Sequence, residues 1–295
     1  MDLNSSLRIK KFVLKPKDAF RVSVDAEAIS PSRFEGMDKK AVEALEVWEG
    51  NRRTNLGSLF DISESEVELK DEEMAKEDGP FIEILGDLSK VRRLGRAMAK
   101  GIIHVKGSGG LRLGEAMRGG RILVEGNVGP WLGSRMRGGK IEVFGNAGDK
   151  VGSPLPGGNE GMRGGTIVIH GDAGDEVGSF MMGGLIVVDG SVGQFVGYGM
   201  KGGDILVRGG ASGRAGASMK GGRIIVLGHC GAILPSFSIQ EIRTTIRIGE
   251  ERMKGPFYFF QGDLNEGGKG RLFVSKEANP QLLAFERYLE GLEDF

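Results

Sequence analysis

The sequence predicts an all-β fold, a right-handed parallel β-helix of about seven coils, on the basis of three observations. Paired glycines recur between residues 101 and 228 at intervals of 19, 26, 19, 19 and 19 residues. A methionine stands two residues before each glycine pair. Two aliphatic residues follow each pair in alternation. A fixed period of this kind indicates a stack of one small structural unit.

The first half of each unit predicts one short strand. An alternating pair such as Ile122 and Val124 places two apolar side chains on the same side of a strand. β-branched residues at this spacing, bounded by glycines, favour a strand over a helix. The 19 residues of a unit are too few for a strand, a crossover helix and their turns. We therefore expect coils that are hydrogen-bonded to each other at about 4.8 Å.

The glycines and methionines are expected to build the coil. Of the 52 glycines, 38 lie between residues 101 and 228, where corners require positive φ or a close backbone approach. The methionines are expected to point inward and fill a narrow interior. This predicted ladder consists of Met98, Met117, Met136, Met162, Met181, Met200 and Met219.

Three regions are predicted along the chain: an N-terminal cap with an acidic connector (1–79), the β-helix (80–235), and C-terminal strands with a terminal helix (236–295). In the cap we expect strands at 7–14 and 20–24, and a short helix that Asp38 N-caps and that runs to about Trp48. The acid-rich residues 61–79 are either a solvated connector or a docking strip for a basic partner. Asn279-Pro280 is expected to begin a helix that ends near Leu292.

Composition excludes several classes of protein. Forty basic and forty acidic residues leave no net charge, which argues against dedicated binding of nucleic acid or of an anionic membrane. A single cysteine excludes a disulfide framework. The first residues lack the apolar run of a signal peptide, and no stretch is long enough to span a bilayer. We expect a soluble cytoplasmic protein.

The sequence contains no recognisable catalytic, cofactor-binding or metal-binding constellation. His229 and Cys230 are adjacent, so on a strand their side chains would point in opposite directions. Residues 197–202 fit the Gly-x-Gly-x-x-Gly pattern of dinucleotide sites. The same glycines recur in neighbouring units where the pattern breaks, and no helix follows. We therefore assign no catalytic residue, no cofactor residue and no metal ligand to this chain.

Features at which the repeat deviates predict a partner interface. Outward residues of the later strands form an apolar stripe, which either binds a partner or is covered by a terminal segment of the chain itself. The 26-residue interval contains an insertion near residues 153–159, and insertions in stacked repeats often lie on a binding face. Trp131 and Phe195 are expected at outward positions of the second strand, where an aromatic side chain can anchor a partner. The candidate residues are Trp131, Ser153, Pro154, Leu155, Pro156, Val168, Val187, Phe195, Leu206 and Ile225.

The repeat Gly-x-x-Met-x-Gly-Gly-x-Ile-x-Val-x-Gly, with its one long interval ending at residues 161–165, resembles the C subunit of formylmethanofuran dehydrogenase. Residues 29–34, 48–60 and 260–270 resemble the outer parts of that protein, so the similarity covers nearly the whole chain. The same repeat occurs in the C-terminal domain of the glutamate synthase large subunit. A bacterial relative belongs to a formyltransferase/hydrolase complex.

The resemblance implies a structural subunit of an oxidoreductase complex in one-carbon metabolism of the methanogenic type. In that family a molybdenum- or tungsten-pterin subunit, fed by iron–sulfur clusters, reduces CO2 to formate. An amidohydrolase-like metal subunit couples formate to methanofuran, giving N-formylmethanofuran. Pterin-binding, amidohydrolase-like and ferredoxin-like subunits are the partners implied, and they would hold the cofactors. The bacterial formyltransferase/hydrolase complex and a glutamate-synthase-like scaffold are the alternatives.

Overall fold

The chain is built mostly of strands with a few short helical segments, which confirms the predicted all-β class. The computed structural model describes residues 8–69, 77–249 and 251–289. Within them the strands are β1 (Arg8–Pro16), β2 (Val24–Asp25), β3 (Glu46–Glu49), β4 (Arg52–Asn55), β5 (Phe60–Glu68), β6 (Phe81–Leu85), β7 (Val91–Arg92), β8 (Ile102–Lys106), β9 (Arg121–Val124), β10 (Lys140–Val143), β11 (Thr166–Ile169), β12 (Leu185–Val188), β13 (Val192–Gln194), β14 (Asp204–Val207), β15 (Ala211–Gly213), β16 (Arg223–Val226), β17 (Ser238–Ile248), β18 (Glu251–Gly262) and β19 (Gly270–Ser275). The helices are α1 (Pro31–Phe34), α2 (Lys39–Glu43) and α3 (Leu56–Leu59), with 3₁₀ segments at Leu264–Glu266 and Pro280–Tyr288.

Seven strands form a parallel ladder in which each strand pairs with the equivalent strand of the next sequence unit. The order is β8-β9-β10-β11-β12-β14-β16. Ile122 lies opposite Ile103 on one side and Ile141 on the other, so equivalent aliphatic residues stack. The two inward aliphatic side chains of each strand are fully buried. The long interval leaves this register intact, because Ile141 still lies opposite Ile167.

The terminal regions extend the ladder at both ends. β6 and then β1 add in parallel beyond β8, and β5 closes that edge in antiparallel orientation. At the other end β19 pairs in parallel with β16, and β18 and β17 follow in antiparallel orientation. One 13-stranded sheet therefore crosses both predicted region boundaries, which fall between β5 and β6 and between β16 and β17.

Part of the predicted acidic connector is a strand. Residues 60–68 form β5 along the whole length of β1, where alternate acidic side chains point into solvent and Lys10 Nζ lies 2.7 Å from Glu64 Oε1. The rest of the connector includes residues 70–76, which lie outside the described residues, as does Leu7 at the start of the first predicted strand. The prediction of a strand over 20–24 was too long, since β2 comprises only two residues.

The helices in the terminal regions are shorter than expected. The Asp38 side chain accepts a hydrogen bond from the Ala41 N–H at 2.8 Å and caps α2, as predicted. The helix ends at Glu43 because the residues that follow enter β3, which pairs with β2 and β4. The C-terminal helix is a 3₁₀ segment, Pro280–Tyr288, and its expected end near Leu292 lies outside the described residues.

Left-handed backbone conformations recur at several positions of each unit, and they are of two kinds: corners that require glycine and corners that do not. Gly139 has a φ of +84°, and a Cβ on it would lie 2.7 Å from the Gly120 carbonyl oxygen of the preceding unit, so glycine is required there. The other corners accept non-glycine residues. Trp131 and Phe195 have φ values of +58° and +61°. Their predicted outward positions on a second strand are therefore wrong: both lie at a corner, outside any strand.

Candidate partner interface

The outward face of the parallel ladder varies from end to end. One residue per strand lies between the two inward aliphatic residues and faces outward: His104, Leu123, Glu142, Val168, Val187, Leu206 and Ile225. Leu206 and Ile225 are fully buried, whereas Val168 and Val187 are half-buried. The apolar stripe predicted from the sequence is thus two surfaces with different surroundings.

The C-terminal hairpin covers the far half of the stripe. β17 and β18 bend over the ladder, and their apolar residues form one cluster with Leu206 and Ile225; the cluster is completed by Ile246, Ile248, Met253, Phe257, Phe259 and Phe273. Polar contacts fasten the hairpin tip: Arg208 donates two hydrogen bonds to Glu251 at 2.9 and 2.8 Å, and Arg223 donates one to the Arg247 carbonyl at 2.8 Å. Leu206 and Ile225 are therefore unavailable to a partner, which corrects their assignment to an interface.

The near end of the outward face is also covered by the chain. Leu123 and Ile102 pack with Phe81 and with Ile9 of β1 in a second outer cluster, and Val67 of β5 adds to it. Between the two covered ends lie Thr166 and Val168 of β11 and Leu185 and Val187 of β12, all of them half-buried. Leu185 and Val187 also pack against the edge of the hairpin cluster. We name these four residues the open strip.

A charged cluster borders the open strip. His170 Nδ1 lies 2.7 Å from Asp189 Oδ2, and its Nε2 lies 3.3 Å from Glu142 Oε1. Arg208 donates to the other oxygen of Asp189 at 3.0 Å. Phe144 is 51% exposed and stacks on the His170 ring at a centroid distance of 5.0 Å. An apolar strip with a charged rim is the usual anatomy of a protein interface.

The pKa values of this cluster are coupled. Burial favours neutral His170, but hydrogen bonds to Asp189 and Glu142 outweigh it and raise the pKa of the imidazole above 6.5. Burial also favours neutral Glu142, yet hydrogen bonds from His170 and Arg121 hold the pKa of its carboxyl below 4.5. The His170 imidazolium and the Glu142 carboxylate therefore support each other's charged forms.

The insertion packs against Trp131. The Trp131 indole N–H donates to the Pro154 carbonyl at 3.1 Å, and Lys150 Nζ lies 5.9 Å from its ring centroid. Ser153 is buried and its hydroxyl donates to the Glu176 carbonyl at 2.7 Å, and Pro154 is buried as well. Ser153 and Pro154 therefore hold the insertion in place and cannot meet a partner, which corrects that part of the prediction.

Trp131, Leu155 and Pro156 remain accessible at this corner. Trp131 and Leu155 are half-buried, and Pro156 is exposed. Together with neighbouring residues they line a cavity of about 190 Å³. The Trp131 ring is already fixed by its hydrogen bond to the insertion, so it would enter an interface without loss of side-chain freedom.

Phe195 lies at the same corner of a later unit. It is half-buried, with the Arg214 guanidinium 5.1 Å from its ring centroid and Tyr198 packed edge-on at 5.9 Å. Its aromatic face is therefore partly occupied by the chain's own side chains.

The remaining predicted residues are structural. The seven ladder methionines are all fully buried in the main core. Cys230 is buried as well, and burial raises the pKa of its thiol to about 12, so the nucleophilic thiolate is disfavoured. In the described residues no group of three His, Cys, Asp or Glu side chains is arranged to hold a metal ion.

Sequence reasoning missed a column of polar side chains at the corner that follows each strand. Asn127 Oδ1 accepts the Asn146 N–H at 2.8 Å, Asn146 Oδ1 accepts the Asp172 N–H at 2.8 Å, and Asp172 Oδ1 accepts the Ser191 N–H at 2.7 Å. Each side chain thus satisfies a backbone donor of the next unit. The signal was present, since Asn, Asp or Ser follows a glycine at the same place in each of these units.

Known proteins resemble parts of the chain. No protein-family model matches the chain. The C subunit of the molybdenum-containing formylmethanofuran dehydrogenase 1 of Methanothermobacter marburgensis is 40% identical over 101 residues, which are 34% of this chain and 23% of that protein. The C subunit of the tungsten-containing formylmethanofuran dehydrogenase 2 of Methanococcus maripaludis is 34% identical over 103 residues, 35% of this chain and 34% of that protein. Over about 100 residues the chain is thus homologous to the C subunit of formylmethanofuran dehydrogenase.

A solved structure extends the relationship along most of the chain. It is a chain of the formyltransferase/hydrolase complex (FhcABCD) from Methylorubrum extorquens in complex with methylofuran. The TM-score is 0.73 at 28% identity, over 89% of this chain and 99% of that chain. The two dehydrogenase relatives match over only 23% and 34% of their own lengths. The matches to these relatives therefore support only about a third of the chain, and the solved structure supports the wider fold.

Among the described helices, none has the length and apolar character needed to cross a membrane.

Proposed function

We propose that this chain is a non-catalytic scaffold subunit of formylmethanofuran dehydrogenase, an oxidoreductase complex that reduces CO2 and couples it to methanofuran as N-formylmethanofuran. The observation that carries the proposal is the 40% identity over 101 residues to the C subunit of that enzyme. Partner subunits would hold the molybdenum- or tungsten-pterin, the iron–sulfur clusters and the amidohydrolase metal centre.

The proposed scaffold is a right-handed parallel β-helix. Equivalent residues of successive units are paired one strand apart from β8 to β16, and buried methionines lie between the units. Such a stack is stiff, because every unit is hydrogen-bonded to both neighbours. It would present the open strip and the Trp131 corner to partner subunits at constant spacing.

A bacterial formyltransferase/hydrolase complex is the second candidate. The observation that favours it is the likeness to a chain of the Methylorubrum complex along 99% of that chain. In that setting the partner subunits would transfer and hydrolyse formyl groups without redox metals. A glutamate-synthase-like scaffold rests only on the shared repeat and has less support.

Native co-purification with subunit identification tests the scaffold proposal. Under the first candidate, pterin-binding and ferredoxin-like subunits elute together with the tagged chain, and the isolated chain has no CO2-reducing activity. Formyltransferase and amidohydrolase-like subunits alone would select the second candidate. A chain that elutes as a monomer without other subunits, or that catalyses the reaction alone, contradicts the scaffold role.

Variants of the open strip locate the interface. Val168→Asp should release partner subunits, because a charge would enter an apolar contact, while the thermal midpoint of the isolated chain stays close to that of the wild type. Trp131→Ala should likewise release partner subunits if the Trp131 corner is part of the interface. Leu264→Asp is the matched control, since Leu264 is 50% exposed and lies outside both surfaces.

A further inference from the structure

A row of cations lies along one turn of the parallel stack. The residue between the ladder methionine and the glycine pair is basic in five units: Arg118, Arg137, Arg163, Lys201 and Lys220. We name these five residues the basic row. All five side chains are exposed. One unit within the series has the half-buried Met182 at this position, which leaves one apolar gap in the row.

The backbone fixes the spacing of the row. The Arg137 N–H donates to the Met117 carbonyl of the preceding unit at 2.8 Å, and the equivalent bonds at the other row positions are 2.7 to 2.8 Å long. Row residues in consecutive units are therefore one strand spacing apart, about 4.8 Å. From Arg118 to Lys220 the row makes five such steps, about 24 Å in total.

Because the paired glycines of this turn have no side chains, the residues of the basic row are the side chains that project from it. A Cβ on Gly138 would lie 2.4 Å from the Arg118 carbonyl oxygen, and a Cβ on Gly221 would lie 2.5 Å from the Lys201 carbonyl oxygen. No side chain fits at either position. Each turn therefore presents one long side chain to solvent, and in five units that side chain is a cation.

Within the described residues, the chain itself neutralises only two of these cations. Arg163 pairs with Glu160, and Lys220 Nζ lies 3.5 Å from Glu266 Oε2. Arg118 and Arg137 form no ion pair with any residue that the structure describes. Lys201 forms no direct ion pair there either, but it lies close enough to Glu160, the partner of Arg163, to interact with it electrostatically. Like charges on neighbouring strands repel each other, so an unpaired row opposes stacking of the units. A bound anion along the row would remove that repulsion.

We propose that the basic row binds an extended, carboxylate-rich segment of a partner protein. About seven extended residues span the row at 3.3 to 3.4 Å each. The chain as a whole carries no net charge, so an anionic segment would be attracted by a local group of cations and not by the overall charge. Proteins that bind nucleic acid usually have a broader basic face. The inference goes beyond the scaffold proposal, because the row would attract such a segment in any assembly.

A labelled decaglutamate peptide is the probe, and fluorescence anisotropy with the full chain is the measurement. The row variant Arg118→Glu/Arg137→Glu/Lys201→Glu should bind the peptide at least about tenfold more weakly, since contacts to three cations are lost. The control variant Arg52→Glu/Arg252→Glu/Lys254→Glu changes net charge equally at exposed positions without ion pairs in the described structure. It should bind within about twofold of wild type.

Three outcomes would overturn the proposal. Equal weakening by the row and control variants would mean that binding depends only on net charge. Stronger binding of a DNA duplex that also requires the row would assign it to phosphates. Tighter peptide binding after Asp71→Asn, Glu72→Gln and Glu73→Gln would mean that the chain's own acidic segment is the occupant. If the chain fails to co-purify with other subunits but still binds the peptide, only the scaffold role is refuted.

Discussion

At the scale of single residues, steric limits at the corners account for much of the sequence. Gly139 and Gly157 have nearly equal φ values, +84° and +82°, but different surroundings. A Cβ at Gly139 meets the Gly120 carbonyl at 2.7 Å, whereas nothing lies within 4 Å of a Cβ at Gly157. Substitution of these two glycines therefore separates the energetic cost of backbone strain from the cost of steric overlap.

We expect Gly157→Ala to lower the free energy of unfolding by about 1 kcal/mol, the cost of a left-handed alanine. Gly139→Ala should cost about 1–3 kcal/mol more, because neighbouring backbone has to move. Urea denaturation of both variants measures the difference. Equal losses of unfolding free energy in the two variants would show that the positive φ alone, without steric overlap, accounts for the glycine at position 139.

His170 gives the chain a pH-dependent contribution to stability. Its pKa is raised in the folded state, so the contribution is complete below the ordinary value of 6.5 and is lost as the pH rises through the folded value. His170→Gln should therefore lower the urea midpoint more at a pH of about 5.5 than at about 8.5. A loss that does not change between the two pH values would contradict the ion-pair role.

At the scale of elements, the hairpin of β17 and β18 decides which part of the ladder stays open. Its apolar residues cover the outward face of β14 and β16 and contact Leu185 and Val187 of β12, so the covered surface ends at the edge of the open strip. The same kind of outward aliphatic residue is thus core in one unit and surface in another.

Leu206→Asp and Val168→Asp form a matched pair of variants for this element. Leu206→Asp should cost about 4 kcal/mol or more, because a carboxylate would be buried under the hairpin without a partner. Val168→Asp should cost about 1 kcal/mol or less in the isolated chain. Thermal unfolding of both variants tests the assignment, and a mild effect of Leu206→Asp would mean that the hairpin does not cover the ladder as described.

At the scale of the whole molecule, the stack is periodic, and its contacts are mainly between neighbouring units. Deletion of residues 185–203 removes one period of 19 residues and places Asp204 directly after Gly184. We expect the shortened chain to fold with lower stability, because β11 can pair with β14 in the same register.

Deletion of residues 185–194 is the control for this experiment. It removes fewer residues but places a corner where β11 needs a strand to pair with, so the inward aliphatic residues lose their register. Soluble yield and far-ultraviolet circular dichroism compare the two chains. A better-folded product from the shorter, off-period deletion would refute the modular stack.

The sequence alone was sufficient for the strands of the parallel ladder, their inward faces and the cap at Asp38. These depend on local spacing: a period of two within a strand, a period of 19 between units, and a side chain three residues from a free N–H. The open strip could not be predicted from such local spacing. Val168 and Leu206 occupy equivalent places in the repeat, and only the distant hairpin makes them different.

The Trp131 corner likewise combines a feature that the sequence indicated with features that only the tertiary structure decided. Its aromatic residue stood out in the sequence, but its place at a corner with positive φ and its hydrogen bond to Pro154 depend on how the insertion folds back. Short-range periodicity by itself determined an all-β chain of stacked units. Long-range packing of the terminal segments and the insertion decided which surfaces remain exposed, because burial depends on residues that are far apart in the chain.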